Sequence, residues 1–175
     1  MQSSIQPCEL PPDALLGKYL HAGAYADCYC TELAWPVSHA EYVEAFYSTG
    51  VFGIERRLLA WFVAKPSTMA QAQQLASGRL DQFAAWNVES RSPDQLLLSD
   101  YRGRTRSWLM TASIGSSGSV GTRLYFGSAV VPLTGRKSGR AKMGFVFSAL
   151  LGFHKLYSRI LLRAARARLA RQHRA

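Results

Sequence analysis

Between Gln82 and Pro132 apolar and polar residues alternate in four runs, 83–90, 95–101, 105–114 and 122–131, the period-two signature of strands with one buried face. The separators are Ser92-Pro93-Asp94, Arg102-Gly103-Arg104 and a glycine–serine run at 115–121, short enough to imply antiparallel hairpins. Taking even-numbered positions as inward collects Trp86, Val88, Leu96, Leu98, Trp108, Met110, Ile114, Leu124, Phe126 and Val130 on one face. That choice predicts Leu98 opposite Trp108, Leu96 opposite Met110 and Met110 opposite Phe126. A fifth alternating run, Ala24 to Leu33, predicts a strand ahead of the meander.

The helical period governs the rest. Ser38 with Glu41 three residues on forms a capping box for HAEYVEAFY. Ile54, Leu58, Trp61 and Phe62 make one stripe of a helix across Gly53–Lys65, and Ser67 or Thr68 caps a third, MAQAQQLASG. A terminal helix is predicted from about Met143 to Arg171. Val146, Phe153, Tyr157, Ile160 and Ala164 supply its apolar stripe, and Lys155, Arg159, Arg163 and Arg166 lie roughly opposite. Arg168 and Arg171 break that pattern, so the last two turns are expected to project into solvent. The order β-α-α-α-β-β-β-β-α predicts an α+β fold, an antiparallel sheet gripping a long C-terminal helix. The division expected is an irregular lead-in over 1–17, one domain over 18–166 and a basic tail over 167–175.

Charge sharpens the picture at that end. The chain carries 21 Lys and Arg against 11 Asp and Glu, net +10, and eleven of the basic residues lie between Arg136 and Arg174 with no acid among them. The anion-facing candidates are Arg136, Lys137, Arg140 and Lys142 in a loop, Lys155, Arg159, Arg163 and Arg166 on the helix, and Arg168 and Arg171 beyond. Three readings stand: the solvated back of a packed helix, contact with an anionic membrane surface, or nucleic acid. Nucleic acid ranks last, because no reader motif or aromatic platform accompanies the charge.

Other chemistry is sparse. Cys8, Cys28 and Cys30 are an odd set without CxxC spacing, which argues against a disulfide framework or a zinc site; Cys28 and Cys30 share a strand face and read as small core residues. No basic-then-apolar leader opens the chain, and the apolar stretch Met143–Phe153 is about half a membrane span, so a reducing, cytoplasmic setting is expected. His21, His39, His154 and His173 have no metal-ligand spacing, and Gly115, Gly118 and Gly121 fit no phosphate loop. No catalytic residue, metal or cofactor is assigned. The predicted inward face carries three polar groups, Asp100, Arg106 and Ser128. Asp100 and Arg106 would face each other as the polar anchor of an apolar cavity lined by Trp86, Trp108, Phe126 and Tyr157. A bland ion pair at the sheet's rim is the competing reading.

The stretches YADCYCTEL (25–33), KPSTMAQAQQLASG (65–78), FAAWNVESR (83–91), GRTRSWLM (103–110), RLYFGSAVVP (123–132) and LLGFHKLYSRILL (150–162) resemble a group of bacterial proteins of unassigned function. That group is similar to the helix-grip superfamily, the START and Bet v 1-like (SRPBCC) proteins. The resemblance implies a sheet wrapped on the C-terminal helix and a cavity for a lipid or an aromatic small molecule. A cyclase- or dehydratase-like enzyme using Asp100, Arg106 and nearby Tyr or Ser hydroxyls is the alternative within that fold. With five predicted strands the sheet is shorter than in larger members.

Overall fold

A computed structural model describes residues 4–49, 68–115, 120–131 and 145–174, with side chains from Lys155 onward in the last stretch. The strands are β1 (Gln6–Pro7), β2 (Tyr25–Leu33), β3 (Gln82–Phe83), β4 (Trp86–Ser92), β5 (Gln95–Asp100), β6 (Thr105–Ile114) and β7 (Gly121–Val130). The helices are α1 (Gly17–His21), α2 (His39–Tyr47), α3 (Met69–Ala76) and α4 (Phe145–Gln172). All strands join one antiparallel sheet in the order β1-β2-β7-β6-β5-β4-β3. The fold is α+β, a seven-stranded sheet with a long C-terminal helix on one face, consistent with a helix-grip-like arrangement. The two strands beyond the predicted five are the short pairs β1 and β3, one at each edge.

Local signals that rest on backbone chemistry are met. Ser38 accepts from the Glu41 amide while the Glu41 carboxylate accepts from the Ser38 amide, and Thr68 and Gln71 repeat the device at α3. The predicted helix over 53–65 and the loop carrying Arg136, Lys137, Arg140 and Lys142 lie outside the described residues.

The register departs from the even-to-even rule. Leu97, not Leu98, faces Trp108; Leu109 faces Phe126; Met110 faces Gln95 and Tyr125. Within the four meander strands even positions meet even ones only at the start of the β4–β5 pair, and a bulge between Val88 and Ser90 ends that. One residue of slip turns a whole strand over, so β6 presents Leu109 to the helices and Trp108 and Met110 to the opposite side.

That opposite side is a second core. Leu16 and Ala14 of the N-terminal segment pack with Leu97, Trp108, Met110, Tyr125 and Ala129, with Leu10, Leu15 and Tyr19 at its margin. Residues 1–17 were expected to be an irregular lead-in; within them Gln6–Pro7 add an edge strand, and Cys8, Leu10 and Ala14–Leu16 pack as a layer over this outer face. Gln95, buried beneath it, fixes the layer. Its Oε1 accepts from the Leu15 amide at 2.9 Å and from the Trp108 indole at 2.9 Å, and its Nε2 donates to the Asp13 carbonyl at 3.1 Å. Gly127 permits the approach, since a Cβ there would sit 2.8 Å from Leu16 Cδ2 and 2.9 Å from Trp108 Cε3.

Helix α4 is rotated from the predicted stripe. Ser158, Leu161, Leu162, Ala165 and Leu169 are the buried positions, whereas Leu156 and Ile160 are exposed. The final turns do not project freely: Leu169 belongs to the main core, and the His173 ring stacks on Trp35 with centroids 4.5 Å apart. The helix therefore runs past 166, where the sequence reading ended the domain, as one packed element to Gln172.

Candidate functional site

The helix-covered face changes character along the strands. One row across it is carbon-rich: Tyr29, Phe126, Leu109 and Leu96, neighbours in register on β2, β7, β6 and β5. Phe46 of α2 lies over this row, its ring 4.8 Å from that of Phe126. The next row is polar on three adjacent strands: Asp27, Ser128 and Ser107, continued by Leu98 and Val88. Beyond it come Tyr25, Val130, Thr105 and, on β5 and β4, the facing pair Asp100 and Trp86.

These polar groups are held in place. Ser128 Oγ donates to Asp27 Oδ1 at 2.6 Å, and Tyr47 Oη, brought in by α2, lies 3.3 Å from Ser107 Oγ. Burial lifts the Tyr25 hydroxyl to about 12, with the Asp27 carboxylate adding to the effect. Tyr25 therefore stays protonated near neutrality and is a donor. Trp86 is half-buried and packs against the core, but its indole Nε1 is fully buried and has no hydrogen-bond partner among the described residues. Tyr157 of α4 packs at the edge of the same core.

The residues proposed from sequence are divided by the sheet. Trp86, Phe126, Ser128 and Tyr157 reach the helix side together. Trp108 is wholly buried on the outer face. Arg106 faces Ser99 rather than Asp100 and points outward, its Nε donating to Tyr19 Oη at 2.8 Å and to Glu89. Asp100 instead closes the β5–β6 turn, its Oδ1 accepting from the Arg104 and Thr105 amides at 2.6 and 3.1 Å. The Asp100–Arg106 anchor does not exist, and the cyclase-like site built on it loses both members.

Asp27, Ser107, Tyr47 and Tyr25 were missed. An acid inside the strand AYADCYCTEL was the available signal, since an inward carboxylate needs a partner. Glu89, on the outward face as alternation has it, was missed because its partner Arg106 was read as facing inward. On that outward face it meets Lys18, Tyr19 and Arg106. Burial opposes its ionisation, but the Lys18 and Tyr19 hydrogen bonds and the Arg106 and Lys18 charges outweigh that and hold its carboxyl below the ordinary value.

Two surface clefts lie away from the polar row. One of about 200 Å3 runs between the α2 N-terminus and β4–β5, past His39, Gly78 and Arg91. The other, of about 360 Å3, lies beside the Trp35–His173 stack, with Glu41 and Glu44 on its wall. On α4, Lys155, Arg159, Arg163 and Arg171 are exposed, while Arg166 and Arg168 are half-buried with their Nε atoms inside. No helix among the described residues is long and apolar enough to cross a membrane.

No protein-family model matches the chain, and neither does any curated protein. Among solved structures, the crystal structure of CalU16 from Micromonospora echinospora is similar over 95% of this chain and 92% of that one, at 16% identity and a TM-score of 0.32. So loose a likeness carries no argument, and the fold is described from this chain's own elements.

Proposed function

We propose that the protein is a non-enzymatic binding protein for a small amphiphilic molecule, a lipid or an aromatic metabolite, held against the helix-covered face of the sheet. The observation that carries this reading is the indole N–H of Trp86, buried and without a hydrogen-bond partner among the described residues. A buried donor left unpaired costs roughly 1–3 kcal/mol, a cost that a ligand acceptor would remove. Elsewhere on the same face the hydroxyls of Tyr25, Ser107, Ser128 and Tyr47 offer further polar contacts, and the carbon row of Tyr29, Phe126, Leu109 and Leu96 would take the apolar body. Phe126, Ser128, Tyr157 and Trp86 keep the ligand-binding roles read from sequence; Asp100, Arg106 and Trp108 do not. Native mass spectrometry of the protein purified from its host tests this. A retained small molecule is expected, with occupancy falling at least tenfold in Trp86→Phe and unchanged in Glu32→Gln. An empty wild-type protein that also fails to take up added fatty acids or aromatic acids would defeat the reading.

A second reading rests on a different observation. Leu156 and Ile160 are 57% and 42% exposed on the outward face of α4, where they share the surface with Arg159, Arg163 and Lys155 and no acid. Exposed aliphatic side chains ringed by cations suit an anionic lipid surface, where each basic residue adds about 1 kcal/mol of attraction. Co-sedimentation with phosphatidylcholine vesicles containing phosphatidylserine is expected to exceed that with phosphatidylcholine alone, to fall with salt, and to drop in Leu156→Ser/Ile160→Ser. Binding indifferent to both lipid charge and salt would reject it.

A further inference from the structure

The three cysteines, of which Cys28 and Cys30 were read from sequence as small core residues, converge on the outer face at the edge of the sheet. The β1–β2 register pairs Gln6 with Cys30 and Pro7 with Tyr29, so the next residue, Cys8, comes opposite Cys28. The Cys8 amide donates to the Cys28 carbonyl at 3.0 Å, and the two Sγ atoms lie 3.3 Å apart. Directly opposed residues of an antiparallel pair have Cα atoms about 4.5–5.5 Å apart, within the span of about 4.4–6.8 Å that a disulfide bridges. Closing the bond therefore needs side-chain rotation and little backbone movement. Cys28 and Cys30 are buried, whereas Cys8 is half-exposed, which gives one thiol within reach of solvent and a second behind it. Among the described residues the cluster does not meet the arrangement of a metal site.

We propose that Cys8 and Cys28 are a redox-modification site for hydrogen peroxide, closing to a reversible disulfide between the N-terminal segment and the body of the sheet. The Cys8 thiolate attacks one peroxide oxygen; the O–O bond breaks, hydroxide leaves, and Cys8 becomes a sulfenic acid. The Cys28 thiol then attacks that sulfur, and the S–S bond forms as water departs. The two sulfurs together lose two electrons, which reduce the peroxide, and an external dithiol reverses the change. The surroundings suit the order of events. The hydrogen bond shared with Cys28, together with that to Cys30 and the Arg123 charge, outweighs burial and lowers Cys8 to about 7, while the same bond with Cys8, then burial and the nearby Cys8, Cys30 and Asp27 charges, raises Cys28. Arg123 is on hand because it pairs with Glu32, the next residue on the same face of β2 after Cys30.

The test uses the full, reduced chain. It is exposed to hydrogen peroxide, quenched with catalase, denatured, alkylated and mapped by mass spectrometry. Two of the three thiols are expected to escape alkylation, with the Cys8 and Cys28 peptides joined, and dithiothreitol to restore all three. Cys30→Ser is expected to give the same cross-link, and Cys8→Ser to leave both remaining thiols alkylated. Three labelled thiols in the treated wild type would overturn the proposal. So would sulfinic acid at Cys8 without a cross-link, or Cys8 joined chiefly to Cys30 or to a second chain. The wild-type map decides by itself should a variant fail to fold.

Discussion

The sheet has two buried faces, and each holds one tryptophan that the strand pattern placed on a single wall. On the outer face the Trp108 indole donates to Gln95, which also ties down Leu15 and Asp13. The donor is satisfied, and Leu16 closes over it through the space that Gly127 leaves. On the helix face the Trp86 indole is buried without a partner among the described residues, beside a row of hydroxyls and a carboxylate. One face is finished as structure. The other keeps one buried donor, the Trp86 indole, without a partner among the described residues, the condition expected where a ligand acceptor would complete the surface.

The largest effect is expected on the finished face. Trp108→Ala removes a wholly buried ring and one of the two donors to Gln95 Oε1, and should cost about 3–5 kcal/mol in a urea unfolding titration. A loss below 1 kcal/mol would mean that the outer core is not a core. Gly127→Ala comes next. The added methyl meets Leu16 and Trp108 at under 3 Å, so either the N-terminal layer lifts or the ring shifts, at about 1–3 kcal/mol. Faster proteolysis within residues 4–16 would identify which layer gave way.

Glu89 offers a smaller effect with a pH signature. Glu89→Gln leaves the Arg106 guanidinium, 12% exposed, with a weaker partner, and should cost about 1–2 kcal/mol near neutrality. Because the folded carboxyl lies below its ordinary value of 4.5, its contribution is complete above that pH. It is lost as pH falls through the lowered folded value. The wild-type advantage over Glu89→Gln should therefore be flat from pH 6 to 8 and shrink steadily as pH falls below about 4.5. An advantage that does not shrink on acidification would show that the charge is not what holds the cluster.

Why the sequence misplaced Trp108 follows from the same contrast. Alternation reports a strand only when one face is wet. In β6 the outward Arg106, Trp108 and Met110 include two large apolar residues because a second layer covers them, so both faces read as core and parity lost its meaning. The capping boxes at Ser38 and Thr68 were legible because they depend on three-residue spacing alone. The bulge at Glu89 and the one-residue slips between strands leave no such mark. Of the candidate site, Trp86, Phe126, Ser128 and Tyr157 were put on the helix-covered side by residue type and face, where they lie. Asp27, Ser107 and Tyr47 meet only through pairing and helix docking, which a linear pattern does not contain.

The smallest effect separates the two tryptophans most cleanly, because the same substitution is made at both. Trp108→Phe removes a donor that Gln95 uses, and so loses packing and a buried hydrogen bond together. Trp86→Phe also loses some ring area, but deletes an N–H that is already buried without a partner among the described residues, a gain of roughly 1 kcal/mol or more that offsets the lost contact. In ligand-free protein Trp86→Phe should therefore shift stability by less than about 1 kcal/mol in either direction, and Trp108→Phe should be the worse of the pair by about 2 kcal/mol. Thermal or urea unfolding of the two variants side by side measures this directly. Equal losses at both positions would mean that Trp86 is satisfied in the folded chain, and the case for a ligand acceptor beside it would fall.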